Sequence, residues 1–194
     1  MTRHFHVIHV ALDDYIPFNE YFIIPYMLWF LYVAVTFAGM YLHDKRSYCQ
    51  MCCFLFTGMT IFLIISSIYP NGHYMRPTSF TRENFCTDLV RWLYSKDTAT
   101  NLFPSIHVFN SLGCHLAICH SDYYRSKKLV RDGSFVLMSS IIMSTVFLKQ
   151  HSMFDVFTAF LMALVLSSLV YGKAGQRIPA YFAARRARSK EVQI

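Results

Sequence analysis

Long apolar segments alternate with short polar ones along almost the whole of this chain. Five of the apolar segments are long enough, or nearly long enough, to cross the ~30 Å hydrocarbon core of a membrane, which takes about 20 helical residues. They comprise residues 21–42, 52–69, 104–120, 133–149 and 152–171. The pattern predicts an all-α, polytopic transmembrane helix bundle with five visible spans.

The last two apolar segments are separated only by the polar residues Lys149, Gln150, His151 and Ser152. A continuous helix over residues 133–171 would be nearly twice as long as a membrane is thick, at about 1.5 Å per residue. The chain must therefore reverse its direction within this polar cluster. We predict a tight turn there, although no glycine or proline marks it.

Composition and charge support a membrane protein and predict its orientation. Of the 194 residues, 55% are hydrophobic and only 15% are charged, against roughly 25% charged residues in soluble domains. Residues 1–194 are therefore expected to form a single membrane-embedded domain. Loops rich in Lys and Arg stay in the cytoplasm, and twelve of these residues lie in segments 43–51, 121–132 and 172–194, against six on the other side.

The net charge of +7 does not indicate a nucleic-acid partner, because a third of the basic residues lie within the last 22 positions. Residues 172–194 are expected to form a basic cytoplasmic tail that contacts the anionic inner leaflet. A solvated tail that only sets the topology is the alternative. The six cysteines indicate no disulfide framework, and Cys49 and Cys52 lack the second pair that a zinc site needs, so no metal is expected there.

The connection over residues 70–103 is the long polar segment on the extracytoplasmic side. Its residues 88–95 are amphipathic, with Leu89, Trp92 and Leu93 on one side. A connection of this length is more typical of a functional or partly helical segment than of a slack loop. We therefore expect an interfacial lid.

Two short strings at the starts of apolar segments contain residues suited to chemistry on an anion. Pro104 is favoured at the first position of a helix, which places Ser105 and His107 in the first turn beside backbone N–H groups that attract anions. His151 and Asp155 are four residues apart, so the carboxylate can orient one ring nitrogen and leave the other as a nucleophile. An ordinary capped helix with an interfacial histidine is the alternative for the first string.

Arg76 follows the second apolar segment and is stiffened by Pro77. Its planar guanidinium suits two phosphate oxygens at once, whereas a solvated surface arginine is the alternative interpretation. The predicted topology places Arg76, His107 and His151 on the same, extracytoplasmic side. Polar residues of these types beside lipid are costly to keep without a use.

The order and spacing of these strings resemble the type 2 phosphatidic acid phosphatase superfamily of membrane lipid phosphatases and phosphotransferases. The resemblance covers residues 69–155, a little under half of the chain. The matching residues are Arg76-Pro77, Pro104-Ser105-Ile106-His107, Ser144, His151 and Asp155. The family core usually has six helices, so either one helix precedes Met1 or the site is complete without it.

The resemblance implies a mechanism that uses neither a metal nor a cofactor. His151 would attack phosphorus, Asp155 would stabilise the charge on the phosphohistidine, and His107 would protonate the leaving oxygen. The residues implied to bind the substrate phosphate are Arg76, Ser105 and Ser144. The expected partners are a lipid phosphate and the bilayer.

Two cations of the family pattern are absent, because Tyr69 stands where the family has lysine and Thr145 where it has arginine. Lys149 could restore one of them as a phosphate-binding residue. The remaining deficit favours a substrate with less charge, such as a phosphodiester. In this respect the chain is similar to the sphingomyelin and inositol phosphorylceramide synthases of the same superfamily.

Three functions follow as expectations. The first is an integral-membrane phosphatase that hydrolyses a lipid phosphate monoester or diphosphate, favoured because the Arg-Pro and Pro-Ser-x-His strings match the phosphatase pattern better. The second is a phosphotransferase that moves a headgroup from a phosphodiester lipid to an acceptor alcohol. The third is a non-catalytic transporter or assembly protein whose histidines are satisfied inside the bundle.

Overall fold

Seven helices and two short strands make up residues 5–172, the part of the chain that the computed structural model describes. A 3-10 turn, Glu20–Phe22, leads into the second helix. In chain order the elements are β1 (His6–Val7), α1 (Ala11–Tyr15), α2 (Ile23–His43), α3 (Lys45–Ile68), β2 (Asn71–Gly72), α4 (Phe85–Lys96), α5 (Ile106–His120), α6 (Lys128–Phe147) and α7 (Met153–Val170). Most of the expected tail, residues 173–194, lies outside the described residues.

Four helices, α2, α3, α6 and α7, are long and apolar enough to cross a membrane, so the chain is an all-α membrane protein. The prediction of five spans is confirmed for these four only. The remaining apolar helix, α5, has 15 residues and is about 22 Å long at 1.5 Å per residue. It contacts α2, α3, α6 and α7, so protein rather than lipid surrounds much of its surface.

Small residues allow α3 and α5 to pack closely in the middle of the bundle. A methyl group on Gly58 would lie 2.0 Å from the ring of Phe109, and one on Gly113 would lie 2.8 Å from the ring of Phe54. The two rings stack with their centroids 4.7 Å apart. Glycine at these positions therefore permits the close helix approach that membrane bundles use in place of a hydrophobic driving force.

Contacts between loops define the two ends of the bundle. At one end, β1 pairs in parallel with β2, and Gly72 bridges to Thr100. At the opposite end, the Asp44 carboxylate between α2 and α3 accepts hydrogen bonds from the Ser121 hydroxyl at 2.7 Å and from the Asp122 N–H at 3.0 Å. We call the end that carries β1 and β2 the upper end.

The predicted reversal after residue 148 is confirmed, and it takes the form of a Schellman turn. The N–H of Gln150 donates to the Thr145 carbonyl at 2.9 Å, and the N–H of Lys149 donates to the Val146 carbonyl at 3.0 Å. Lys149 has a φ of 51°, the left-handed conformation that usually calls for glycine or asparagine at this position. The turn places His151 at the upper end, directly before α7.

The amphipathic stretch predicted at residues 88–95 is helical and lies within α4. Val90 and Leu93 are buried, whereas Trp92 is 51% exposed. The helix packs on α2 and the 3-10 turn. Trp92 is thereby left on an open surface.

Candidate active site

His107 and His151 meet at the upper end of the bundle, with their ring centroids 5.7 Å apart. Each lies at the start of a helix, α5 for His107 and α7 for His151. The two helix starts are joined by a hydrogen bond from the Ser105 N–H to the Asp155 carbonyl, at 3.3 Å. The Ser105 hydroxyl also caps α5 by accepting from the Val108 N–H at 3.4 Å.

Asp155 is fully buried beside His151. Its Oδ2 lies 3.5 Å from Nδ1 of His151 and accepts a hydrogen bond from the Ser152 N–H at 3.0 Å. The carboxylate therefore faces Nδ1 of the imidazole. This arrangement leaves Nε2 as the ring nitrogen available to a substrate.

Arg76 lies in the connection that follows β2, and its guanidinium is largely buried. Nη1 donates to the Asp97 carbonyl at 2.5 Å, Nη2 donates to Oε1 of Gln150, and the guanidinium carbon lies 4.6 Å from the ring centroid of Tyr94. Burial lowers the pKa of Arg76, and the Asp97 carboxylate opposes this shift. The arginine is therefore bonded to Gln150, the residue that directly precedes His151.

His73 and Gln150 belong to this cluster, and the sequence pattern did not single them out as site residues. Nε2 of His73 donates to the Gln150 carbonyl at 2.9 Å, and Nδ1 accepts from the Met75 N–H at 3.3 Å. Burial lowers the pKa of His73, so the ring is neutral at pH 7. The signal that could have identified these two residues is their position, three residues before Arg76 and one before His151.

Ser144 and Lys149, two of the expected phosphate-binding residues, use their donors elsewhere. The Ser144 hydroxyl is buried in α6 and donates to the Ile141 carbonyl at 2.6 Å. Nζ of Lys149 donates to the Asp13 carbonyl at 2.6 Å. The geometry therefore gives no support to a phosphate contact from either residue.

Several buried polar atoms of this cluster have no hydrogen-bond partner within residues 5–172. Most buried polar groups in proteins are paired, and an unpaired one costs about 1–3 kcal/mol. Such a concentration at one place favours a site that a polar ligand completes. The atoms are Nε of Arg76, Nδ1 of His107, Nε2 of Gln150, Nδ1 of His151 and Oδ1 of Asp155.

An apolar groove of about 430 Å³ between α2 and α4 leads to His107. The imidazole lies against the rings of Trp29 and Tyr26, with centroid distances of 4.4 and 4.7 Å. Phe30 and Trp92 line the outer part of the groove and are both more than half exposed. The groove therefore connects the outer surface of the bundle with His107.

Protein-family models, curated proteins and solved structures were compared with this chain, and none matches it. The interpretation of the site thus depends on its motifs and its geometry.

Asp13, in α1, holds the turn that carries His151. Its carboxylate is buried and accepts from the Ser152 hydroxyl at 2.6 Å and from the Met153 N–H at 2.8 Å. The first of these residues is the N-cap of α7 and the second is its first residue. Asp13 therefore caps α7 from a distant part of the chain, where a negative charge is favourable.

We expect Asp13→Ala to lower the free energy of unfolding by about 2 kcal/mol or more, because it leaves a buried hydroxyl and a helix-terminal N–H without their acceptor. Denaturant titration of the protein in detergent measures this change. Asp14→Ala is the matched control, since the Asp14 side chain is 69% exposed and pairs with His9, and its effect should be below about 1 kcal/mol. Equal effects of the two substitutions would contradict the capping role.

Proposed function

We propose that this chain is an integral-membrane lipid phosphatase that hydrolyses a lipid phosphate monoester or diphosphate through a phosphohistidine on His151. The observation that carries the proposal is the pair of the partly buried His107 and the buried His151, with Asp155 beside the second ring and Arg76 bonded to the same turn. An imidazole with a buried carboxylate 3.5 Å from one of its ring nitrogens is the arrangement expected of an activated nucleophile. The resemblance of the three motifs to the type 2 phosphatidic acid phosphatase superfamily points to the same chemistry.

In the first step, Nε2 of His151 attacks phosphorus and the bond from phosphorus to the lipid oxygen breaks. His107 gives a proton to that oxygen as it leaves. Asp155 stabilises the positive charge on the His151 ring, and the Arg76 guanidinium stabilises the phosphoryl oxygens in the transition state. The lipid alcohol leaves, and the phosphoryl group stays on His151.

In the second step, water attacks the phosphohistidine and the bond from phosphorus to Nε2 breaks. The unprotonated His107 takes the proton of that water. Free phosphate leaves, and both imidazoles return to their initial protonation states. An acceptor alcohol in place of water would give transfer instead of hydrolysis.

Two features support a lipid as the substrate and an extracytoplasmic site. The groove between α2 and α4 is apolar and reaches His107, so it can take the chain of a lipid whose phosphate lies at the histidines. The excess of Lys and Arg in segments 43–51, 121–132 and 172–194 favours a cytoplasmic location for the lower end and the C-terminus. The upper end would then face the extracytoplasmic side.

An assay of the purified protein in mixed micelles tests the proposal. We expect phosphate to be released from phosphatidic acid or from an isoprenyl diphosphate without any acceptor lipid, because water is the acceptor in the proposed second step. Free phosphate and diglyceride are measured in parallel over a panel of lipids. Diglyceride that forms only when an acceptor lipid is present, with no free phosphate, would replace hydrolysis by transfer.

The transferase is the second candidate, and the charge of the site favours it. Two cations lie at the turn formed by residues 148–152. The Lys149 ammonium donates to the Asp13 carbonyl, which leaves Arg76, bonded to Gln150, as the cation available to a substrate. A phosphodiester carries one negative charge where a monoester approaches two. A site with one available cation is better matched to the diester.

A further inference from the structure

The side-chain amide of Gln150 has a defined orientation next to His151. A guanidinium has donors but no acceptor, so the contact from Nη2 of Arg76 must be made to the amide oxygen. The residue is only 1% exposed. Its backbone carbonyl accepts a hydrogen bond from His73. The NH2 group is consequently directed away from Arg76.

This NH2 group has no partner within the described part of the chain. Its nitrogen is buried, and so is Nε of Arg76, another donor without a partner. Gln150 directly precedes His151 in the chain, and Arg76 is bonded to Gln150. Two buried, unpartnered donors, one on the residue before His151 and one on the arginine bonded to that residue, are suited to the oxygens of an anion.

The charged groups around Gln150 leave a small net negative charge. Arg76 supplies one positive charge, Asp155 supplies a negative one, and the Asp97 carboxylate lies 3.6 Å from the guanidinium. The other titratable groups that face this region are His73, His107, His151, Tyr26 and Tyr94. Lys96 lines the outer part of the groove beside Asp97 and is exposed to solvent, which screens its charge.

We propose that the side-chain NH2 of Gln150 is a phosphate ligand, and that this neutral donor adapts the site to a phosphate group with a single negative charge. A phosphodiester and a singly protonated phosphomonoester both meet this requirement. The inference rests on the proposed phosphoryl chemistry at His151.

Two substitutions separate a phosphate contact from a structural contact with Arg76. Gln150→Met removes both the oxygen and the NH2 group, and kcat/KM should fall about 10- to 100-fold, the value of a hydrogen bond to a charged group. Gln150→Glu retains an oxygen for Arg76 but directs an anionic oxygen at the phosphate. It should therefore be the more damaging change, with a loss above about 100-fold.

Gln50→Met is the matched control. Gln50 is also a buried glutamine and its Nε2 donates to the Val170 carbonyl at 3.4 Å, but it lies at the opposite end of the bundle. Activity should stay within about threefold of the wild type. Thermal unfolding in detergent, measured for all three variants, establishes that the compared proteins are folded.

The charge preference is tested with a monoester lipid, phosphatidic acid, and a diester lipid, phosphatidylglycerol, used as a substrate or, if it is not turned over, as a competitive inhibitor. The preference for the monoester over the diester should fall up to tenfold per pH unit above the second pKa of the monoester, about 6. Because the activities on the two lipids are compared as a ratio, the titration of protein groups that affect both activities equally does not change the result.

The results can fail in two distinguishable ways. Turnover by Gln150→Glu within about threefold of the wild type, or a monoester preference that rises with pH, overturns the role of Gln150 and leaves the proposed chemistry in place. A folded wild-type protein that turns over none of the probes overturns the proposed function, and this inference falls with it.

Discussion

Substitution of His151 by alanine is expected to lower kcat for a lipid phosphate by about 10⁴-fold or more, the range seen when a nucleophile is removed. The reason is the position of the ring: Asp155 faces its Nδ1, so Nε2 is the group that would form the bond to phosphorus. No described neighbour offers a second nucleophile in the same orientation. Release of phosphate in mixed micelles measures the loss.

A trapping experiment makes the same prediction more specific. Rapid quenching with a phosphorus-labelled lipid should leave label on the wild-type protein and none on His151→Ala. His120→Ala is the control, since His120 lies at the other end of α5 and bonds the Leu116 carbonyl within its own helix. If His151→Ala and His107→Ala both leave the measured function whole and vanadate has no effect, the chain is not this kind of enzyme.

The parts of the fold that could be predicted are those determined by apolar length. The reversal before α7 follows from the fact that one helix cannot cover residues 133–171 within a single membrane thickness. The proximity of His107 and His151 can be predicted from the same reversal, because each residue then follows a connection at the upper end of the bundle. The length of α5 could not be predicted, since a helix enclosed by others need not match the bilayer.

The unpredicted parts of the site are contacts between residues far apart in sequence. Asp13 caps a helix 140 residues further along the chain, and no local pattern marks such a pairing. The position of Lys149, two residues before His151, predicts a phosphate contact. Its left-handed backbone conformation instead accompanies a bond from its ammonium group to Asp13.

Gln150 shows the same limit from another direction. A neutral glutamine in a polar turn carries no motif, and only its contacts with Arg76 and His73 distinguish it from a surface residue. The contact of its amide oxygen with Arg76 is visible only in the structure, and the proposed phosphate contact depends on it.

His107→Gln is expected to lower kcat/KM for a lipid phosphate by about 10²- to 10⁴-fold, the usual contribution of a general acid or base. The leaving alkoxide of a lipid is strongly basic and needs the proton that His107 would supply. An aryl phosphate leaves as a weakly basic phenoxide, so the same substitution should slow its phosphoryl transfer much less. Single-turnover measurements with both substrates isolate this first step.

The control for His107→Gln is His115→Gln, on the same helix two turns away. His115 contacts the Ser134 hydroxyl at 3.0 Å and lies outside the histidine pair, so its loss should leave the ratio of lipid to aryl activity unchanged. His107 also packs against Trp29 and Tyr26, and thermal unfolding separates a loss of packing from a loss of chemistry. Equal slowing of both substrates by His107→Gln in a folded protein would contradict its role as the acid and assign it to binding.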